Sequence, residues 1–476
     1  MLRLVGTSFQ VYISARIGPE GIGLLQLVLS VGSLALVAGM AGVRTAAMYL
    51  TAEELGHKEN QNVTWVLSGC FSYSILFSGS IGMLLYVFAP QIARLWIENT
   101  QTVDALRLFA VFLPVTCLCG VMTGYFTAAN RIGTLAAVEV AEQLCSVGIT
   151  MLLLNYWAGP DAEKACQSVI LGSCIGSCLT LGCLVFLRIR EHMGTGSKIP
   201  IRHRLTQTAL PLALADVLKS GINTTENLMV PKRLALNPTI GNPLSAFGIV
   251  SGMVFPILMF PACILFGLAE LLIPELARCS ASGSRQRISY LVKRSLKVTM
   301  LYGLLFSGLM FLLAEVLCTS LYSNAEAGNS LKLYALMIPM LYCDAITDAM
   351  TKGLGQQKAC VRYNILTSAM DVIFLYLLLP KYGMEGYYLS FLVTHLLNFL
   401  LSLRRLLKIS GESIPFYVPA LSFASALLAG FGASHISGSA GQCIGFIALL
   451  ICLLYLLRII GKEDLLWLKG LLYNKK

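Results

Sequence analysis

Apolar residues run through this chain in blocks that follow one another from end to end, separated by short polar breaks. A hydrocarbon layer takes about 20 apolar helical residues to cross. Blocks near that length fall at 4–17, 23–50, 63–88, 103–126, 135–156 and 166–187, then at 208–230, 244–272, 298–321, 331–354, 363–379 and 387–403. A last pair lies at 415–433 and 443–459. The pattern predicts an all-α polytopic membrane protein with about 14 transmembrane helices.

Composition agrees: of 476 residues, 56% are apolar and only 12% charged, whereas a soluble domain carries roughly 25% charged residues. Mean hydropathy is +0.74. The net charge of +11 is unevenly distributed. Alternate loops hold Lys58, Arg131, the cluster Arg188, Arg190, Lys198, Arg202, Arg204 and the cluster Arg278, Arg285, Arg287, Lys293, Arg294, and the C-terminal tail is basic as well. The intervening loops hold only Arg16, Arg94, Lys164, Lys232, Arg233 and Lys381. Basic loops stay in the cytoplasm, which predicts a cytoplasmic C-terminus in the cell membrane. The positive charge is thus topological, and no nucleic-acid partner is expected.

Fifteen cysteines raise the question of metal or disulfide chemistry. Most lie inside apolar spans with no histidine at ligand spacing, as Cys117, Cys119, Cys174 and Cys178 do, so they read as small residues at helix contacts. There is no P-loop, no G-x-S-x-G elbow and no HExxH. The sequence therefore points to a transporter rather than an enzyme, working as a monomer with the bilayer and its substrate as partners. It needs no cofactor, except that H+ or Na+ could act as a coupling ion.

The chain repeats itself. Residues 105–114 read ALRLFAVFLP and residues 330–339 read SLKLYALMIP, an ungapped match at an offset of 225 that also pairs Gly23 with Gly248, Ala52 with Ala277 and 152–154 with 377–379. The phrase LFSG at 76 recurs at 305 after a small insertion. This predicts two pseudo-symmetric six-helix lobes, 1–188 and 207–405, joined by a basic cytoplasmic linker at 189–206 and followed by helices 13 and 14 with a tail at 406–476. Two parallel repeats that rock about a cavity suit a transporter. The offset also sets the start of the first helix upstream of Met1, so its front is expected to be missing.

Charged residues inside a span are costly unless they face a water-filled cavity, which makes them the candidate site. The first two spans carry Arg16 and Arg44; the seventh carries Asp216, Lys219 and Glu226; Glu270 lies in the eighth. Asp216 and Lys219 share a face and could neutralise each other. Asp344, Asp348 and Lys352 follow at i+4 spacing in the tenth span, either as a cavity-lining stripe or as a structural Asp348–Lys352 pair. Glu139, Glu142 and Asp371 rank lower, and His395 reads as a packed helix-contact residue. Pro256 and Pro261 are hinge candidates or the sites of a static kink.

The stretch VYISARIGPEGIGLLQLVLSVGSLALVAGMAGVRTAAMYLTAEE at 11–54 resembles the stage V sporulation protein B group, as does TENLMVPKRLALNP at 225–238 with FGIVSGMVFPILMFPACILFGLAELLIPELA at 247–277. That group belongs to the multidrug/oligosaccharidyl-lipid/polysaccharide flippase superfamily, which includes multidrug extruders and peptidoglycan-precursor flippases. The resemblance implies twelve helices in two lobes with two more at the C-terminus, moving a lipid-linked saccharide across the membrane. The diphosphate of such a substrate calls for cations in the cavity. In peptidoglycan-precursor flippases an Arg-Asp pair precedes the A-R-x-x-G-like end of the first helix; Phe9 and Gln10 stand there in this chain, so that cationic site is not carried in the same form. Two further readings stay open: a cation-coupled drug antiporter using Glu226 or Asp344, and a non-transporting scaffold in sporulation or wall synthesis.

Overall fold

The computed structural model describes residues 2–56, 62–158, 161–190, 201–412 and 417–461. Lys58, Lys198, most of the expected linker and the basic tail lie outside the described residues. Helix accounts for nearly all of the rest, and the chain forms two compact units, one of residues 1–252 with 375–383 and one of 253–374 with 384–476.

The first unit begins with α1 (Leu2–Met40), α2 (Val43–Gly56), α3 (Val63–Ile92) and α4 (Val103–Ala128). It continues with α5 (Ile132–Leu153), α6 (Ala162–Ile189), α7 (Ile201–Leu234) and α8 (Pro243–Gly248). Helix α1 contains two expected spans, divided at Gly18, whose φ of 80° ends the first just before Pro19. A positive φ costs glycine nothing, and the proline that follows restarts a helix from its favoured first turn.

The second expected span is not straight. It leaves α1 at Met40, turns through Ala41 and Gly42 with φ of 42° and 72°, and resumes as α2. Carbonyls at such a turn lose their helical donors and need others. The Tyr73 hydroxyl of α3 donates to the Ala41 carbonyl at 3.2 Å. Gly42 is also a point of contact: a Cβ there would lie 2.4 Å from the Ala209 carbonyl oxygen of α7. Around this turn Val43, Ala46, Ala47 and Leu50 of α2 share one core with Leu205, Ala209 and Ala213 of α7.

The second unit opens on the rest of a broken span. After α8 a π-helical turn, Ile249–Val254, leads into α9 (Phe255–Met259) and then α10 (Ala262–Ala281), with a 64° bend at the break. The block expected as one helix at 244–272 is therefore three pieces ending nearer 281. Pro261 sits at the bend, next to α10, and Pro256 in the first turn of α9. Proline has no N–H to offer the carbonyl four residues back, and here the Ile257 carbonyl accepts instead from the Phe260 N–H at 3.3 Å. Neighbouring tyrosines serve three more carbonyls: Tyr322 donates to Met253 at 3.2 Å, Tyr342 to Leu258 at 2.7 Å and Tyr302 to Pro261 at 2.8 Å.

Those tyrosines come from α11 (Arg285–Tyr322) and α13 (Ile338–Gly353). Between them α12 (Ala325–Ala335) meets α13 at a bend of 57°, so the tenth span is also broken. Helix α14 (Gln357–Ser410) contains two spans divided at Gly383, where φ is 55°. The chain ends in α15 (Tyr417–Ser434) and α16 (Ser439–Leu456), which pack on α11 with the Phe446 ring against Gly308. Among the described residues nine helices, or eleven with the two bent pairs, are long and apolar enough to cross a membrane, and the breaks at Gly18 and Gly383 each divide one of them into two expected spans.

Candidate functional site

Helix α7 is fastened to the first-half helices at three levels. Near its start Arg204 pairs with Glu53 at 2.6 Å and with Glu54 at 3.3 Å, both on α2. In its middle Thr224 donates to the Ser30 carbonyl and the Asn227 amide to the Ser30 hydroxyl, each at 3.0 Å. At its end Lys232 pairs with Glu98 at 3.0 Å, and the Arg233 guanidinium stacks on the Tyr376 ring. The fastened helix positions Lys219 on an exposed face.

Arg16 is exposed two residues before the Gly18 break, and Arg44 is exposed in the first turn of α2. Among the described residues no ion pair is made by Arg16, Arg44 or Lys219. Asp216 and Lys219 share a helix face without pairing. An unpaired cation within an apolar span is stable only in contact with water or an anion. Glu226 is half-buried on α7, and Glu270 is exposed on α10.

The carboxylates of the second unit are organised differently. The tenth-span stripe divides: Asp348 pairs with Lys352 at 2.5 Å, while both oxygens of Asp344 accept from the Asn398 amide, at 3.2 and 3.1 Å. Asn398 is itself buried, and its own Oδ1 has no partner among the described residues. In the other arm of α14, before the Gly383 break, Asp371 is 5% exposed and accepts from Ser390 at 2.6 Å and Thr394 at 3.1 Å. His395 stacks on Phe391 with ring centroids 4.0 Å apart.

Sequence reasoning overlooked this stripe of Ser390, Thr394, Asn398 and Ser402, all buried. Its signal is visible in SFLVTHLLNFLLS, where a polar residue recurs every fourth position and so lies on one helix face. The first half has a smaller counterpart: Glu142 of α5 accepts from Ser177 of α6 at 3.2 Å.

Among the described residues nine helices, or eleven with the two bent pairs, are long and apolar enough to cross a membrane; with charged groups set into the spans and a sequence repeated across the halves, they define a polytopic membrane transporter. The particular family follows from comparison. A family model described as lipid II flippase MurJ matches residues 47–461, and the chain belongs to that family. It is 23% identical to stage V sporulation protein B of Bacillus subtilis (strain 168), over 97% of this chain and 94% of that one. It is 20% identical to sporulation protein YkvU of the same organism over 56% of this chain and 61% of the relative.

Two solved structures share the fold. Lipid II flippase MurJ in an inward closed conformation matches with a TM-score of 0.70 at 16% identity, covering 95% of this chain and 96% of that one. An inward-facing multidrug resistance transporter of the MATE family matches with a TM-score of 0.69 at 15% identity, covering 87% and 96%.

Proposed function

We propose that this protein is a flippase for a polyprenyl-pyrophosphate-linked saccharide, a cell-wall or spore-cortex precursor, moved across the cytoplasmic membrane by alternating access. The observation that carries the reading is the set of cations Arg16, Arg44 and Lys219 in the first unit, which make no ion pair among the described residues. A diphosphate headgroup supplies the charge they lack. A cationic drug would be repelled by the same three groups, so they argue against a multidrug antiporter. Family membership and the sporulation proteins among its relatives support a precursor of the cell envelope.

Translocation is a change of access rather than a covalent reaction, so no residue acts as nucleophile or general base. The duplicated sequence supports lobes of residues 1–188 and 207–405, and the loop charges support a cytoplasmic C-terminus. A monomer contains both repeats and needs no partner copy. If an ion gradient drives the cycle, Asp344, held by the Asn398 amide, is the group that would bind the coupling ion. Pro256 and Pro261 bend the eighth span, and Asp348 with Lys352 and Glu270 line or support the route.

Native mass spectrometry of the purified protein tests the reading. A co-purifying polyprenyl pyrophosphate or its saccharide is expected, and it should be lost in the combined Arg16→Ala, Arg44→Ala, Lys219→Ala variant. Retention of the lipid by that variant, or tighter binding of a cationic dye than of the lipid, would overturn it.

A further inference from the structure

The fourth and tenth spans carry copies of one phrase, and their equivalent cations have different partners. The match of 105–114 with 330–339 pairs Arg107 with Lys332, and the match of LFSG at 76 with LFSG at 305 pairs Tyr86 with Glu315. In the second unit the two positions form an ion pair between α12 and α11, Lys332 with Glu315 at 3.3 Å. In the first unit the same two positions meet again, between α4 and α3, but the carboxylate is gone. The Arg107 guanidinium lies over the Tyr86 ring, 5.3 Å from its centroid.

No other carboxylate takes that place. Arg107 is half-buried and makes no ion pair among the described residues, and its buried Nε has no hydrogen-bond partner there. Asp104, three residues before it on α4, does not pair with it. The surface around the pair is open and apolar, with Met83, Tyr86 and Val87 of α3 and Val111 of α4 all exposed. At about 1.5 Å per residue Tyr86 lies about 30 Å along α3 from Trp65, which is one hydrocarbon thickness. The Trp65 end is the basic one, where Arg188 donates to the Thr64 hydroxyl at 3.3 Å. Arg107 and Tyr86 therefore stand at the opposite boundary of the hydrocarbon, which the loop charges make the outer one.

Both differences between the halves suit a phosphate. Lysine is a compact point charge, whereas arginine presents a planar fork that matches two phosphate oxygens. An aromatic face supports a guanidinium by stacking and claims none of its N–H donors.

We propose that Arg107, supported by Tyr86, binds the phosphate of a phospholipid in the outer leaflet, so that a lipid headgroup stands where the second half keeps Glu315. Met83 and Val111, a turn further into the membrane, meet the acyl chains of that lipid. The site is independent of the transported substrate, because Arg16, Arg44 and Lys219 take no part in it.

Titration of the purified protein in detergent with phosphatidylglycerol, followed by native mass spectrometry, tests the site. Arg107→Gln should weaken the tightest phosphatidylglycerol site about tenfold, as expected for losing a hydrogen bond to a charged group. Tyr86→Glu keeps the cation and supplies its counter-ion, and it should weaken binding as much. Lys332→Gln should leave binding unchanged, whereas Glu315→Tyr combined with Lys332→Arg should add a second site. Diacylglycerol, which lacks the phosphate, should not distinguish these proteins.

Full affinity in both Arg107→Gln and Tyr86→Glu would overturn the proposal, as would an equal loss in Lys332→Gln or no second site in the double variant. Displacement of the lipid by an equimolar amount of inorganic phosphate would make this a general anion site and would also overturn it. The polyprenyl lipid sought above should co-purify with Arg107→Gln as with the unaltered chain. Its selective loss would place Arg107 on the substrate's own path and overturn the phospholipid assignment, leaving the flippase reading intact.

Discussion

The two halves break their second spans by different chemistry and repair them with the same residue. In the first half the break uses left-handed backbone at Ala41 and Gly42; in the second it uses Pro261 after Phe260. Tyr73, in YSILFSG, donates to the Ala41 carbonyl, and Tyr302, in YGLLFSG, donates to the Pro261 carbonyl. Each tyrosine also packs on the phenylalanine four residues on, Phe77 or Phe306, with ring centroids 4.4 and 4.6 Å apart. What duplication preserved is the donor on the neighbouring helix, while the residue that bends the chain was free to change. A freed carbonyl in a membrane has no water to turn to, so the donor is the more constrained partner.

The largest effect that would break this comparison is at Gly42. Gly42→Val puts a branched side chain at positive φ and against the α7 backbone, and overpacking alone costs about 1–3 kcal/mol, with strain in addition. Most of the folded protein should be lost from size-exclusion profiles, whereas Pro261→Ala should leave them intact. Equal loss in both would mean that the two breaks are equally determined by their own residues.

Removing the donors comes next. Tyr342→Phe and Tyr73→Phe leave the Leu258 and Ala41 carbonyls without their tyrosine donors, a cost of about 1–3 kcal/mol each that should appear as lower Tm in detergent. Tyr302→Phe should cost less, roughly 1 kcal/mol or below, because the Pro261 carbonyl also accepts from the Ile264 N–H at 3.3 Å. A Tm for Tyr302→Phe below that of Tyr73→Phe would refute this ranking.

The smallest expected effect concerns the repeated phrase itself. Pro114 lies inside the continuous helix α4, whereas Pro339 starts α13 after a 57° bend. The bend is held by α11, where a Cβ on Gly303 would lie 2.7 Å from the Pro339 Cα. Pro114→Ala and Pro339→Ala should each stay within about 1 kcal/mol, and spin-label distances across α12 and α13 should not change. A straightened tenth span in Pro339→Ala would make the proline, rather than its neighbour, the cause.

Much of this was legible in the chain. The blocks at 63–88, 103–126 and 298–321 became α3, α4 and part of α11, and the offset that paired Gly23 with Gly248 paired residues that touch. Other features were not. Asp344, Asp348 and Lys352 share a face by spacing, but Asn398 draws Asp344 away and leaves the remaining two as a pair. Gly42 looks like any small residue in an apolar run until α7 is seen against it. Tyr73 reads as an aromatic anchor, and its hydroxyl acquires a role only from a break in another helix.

The sequence by itself determined that the chain is a succession of apolar helices and that phrases of its first half recur in its second, because apolarity is a property of consecutive residues and the hydrocarbon layer imposes its length on each run. Only the tertiary structure decided where those runs bend and what satisfies them there. Such partners come from distant parts of the chain, as with Ser14 and Gly252, 238 residues apart. No local pattern encodes which donor will stand beside which carbonyl once the helices have packed.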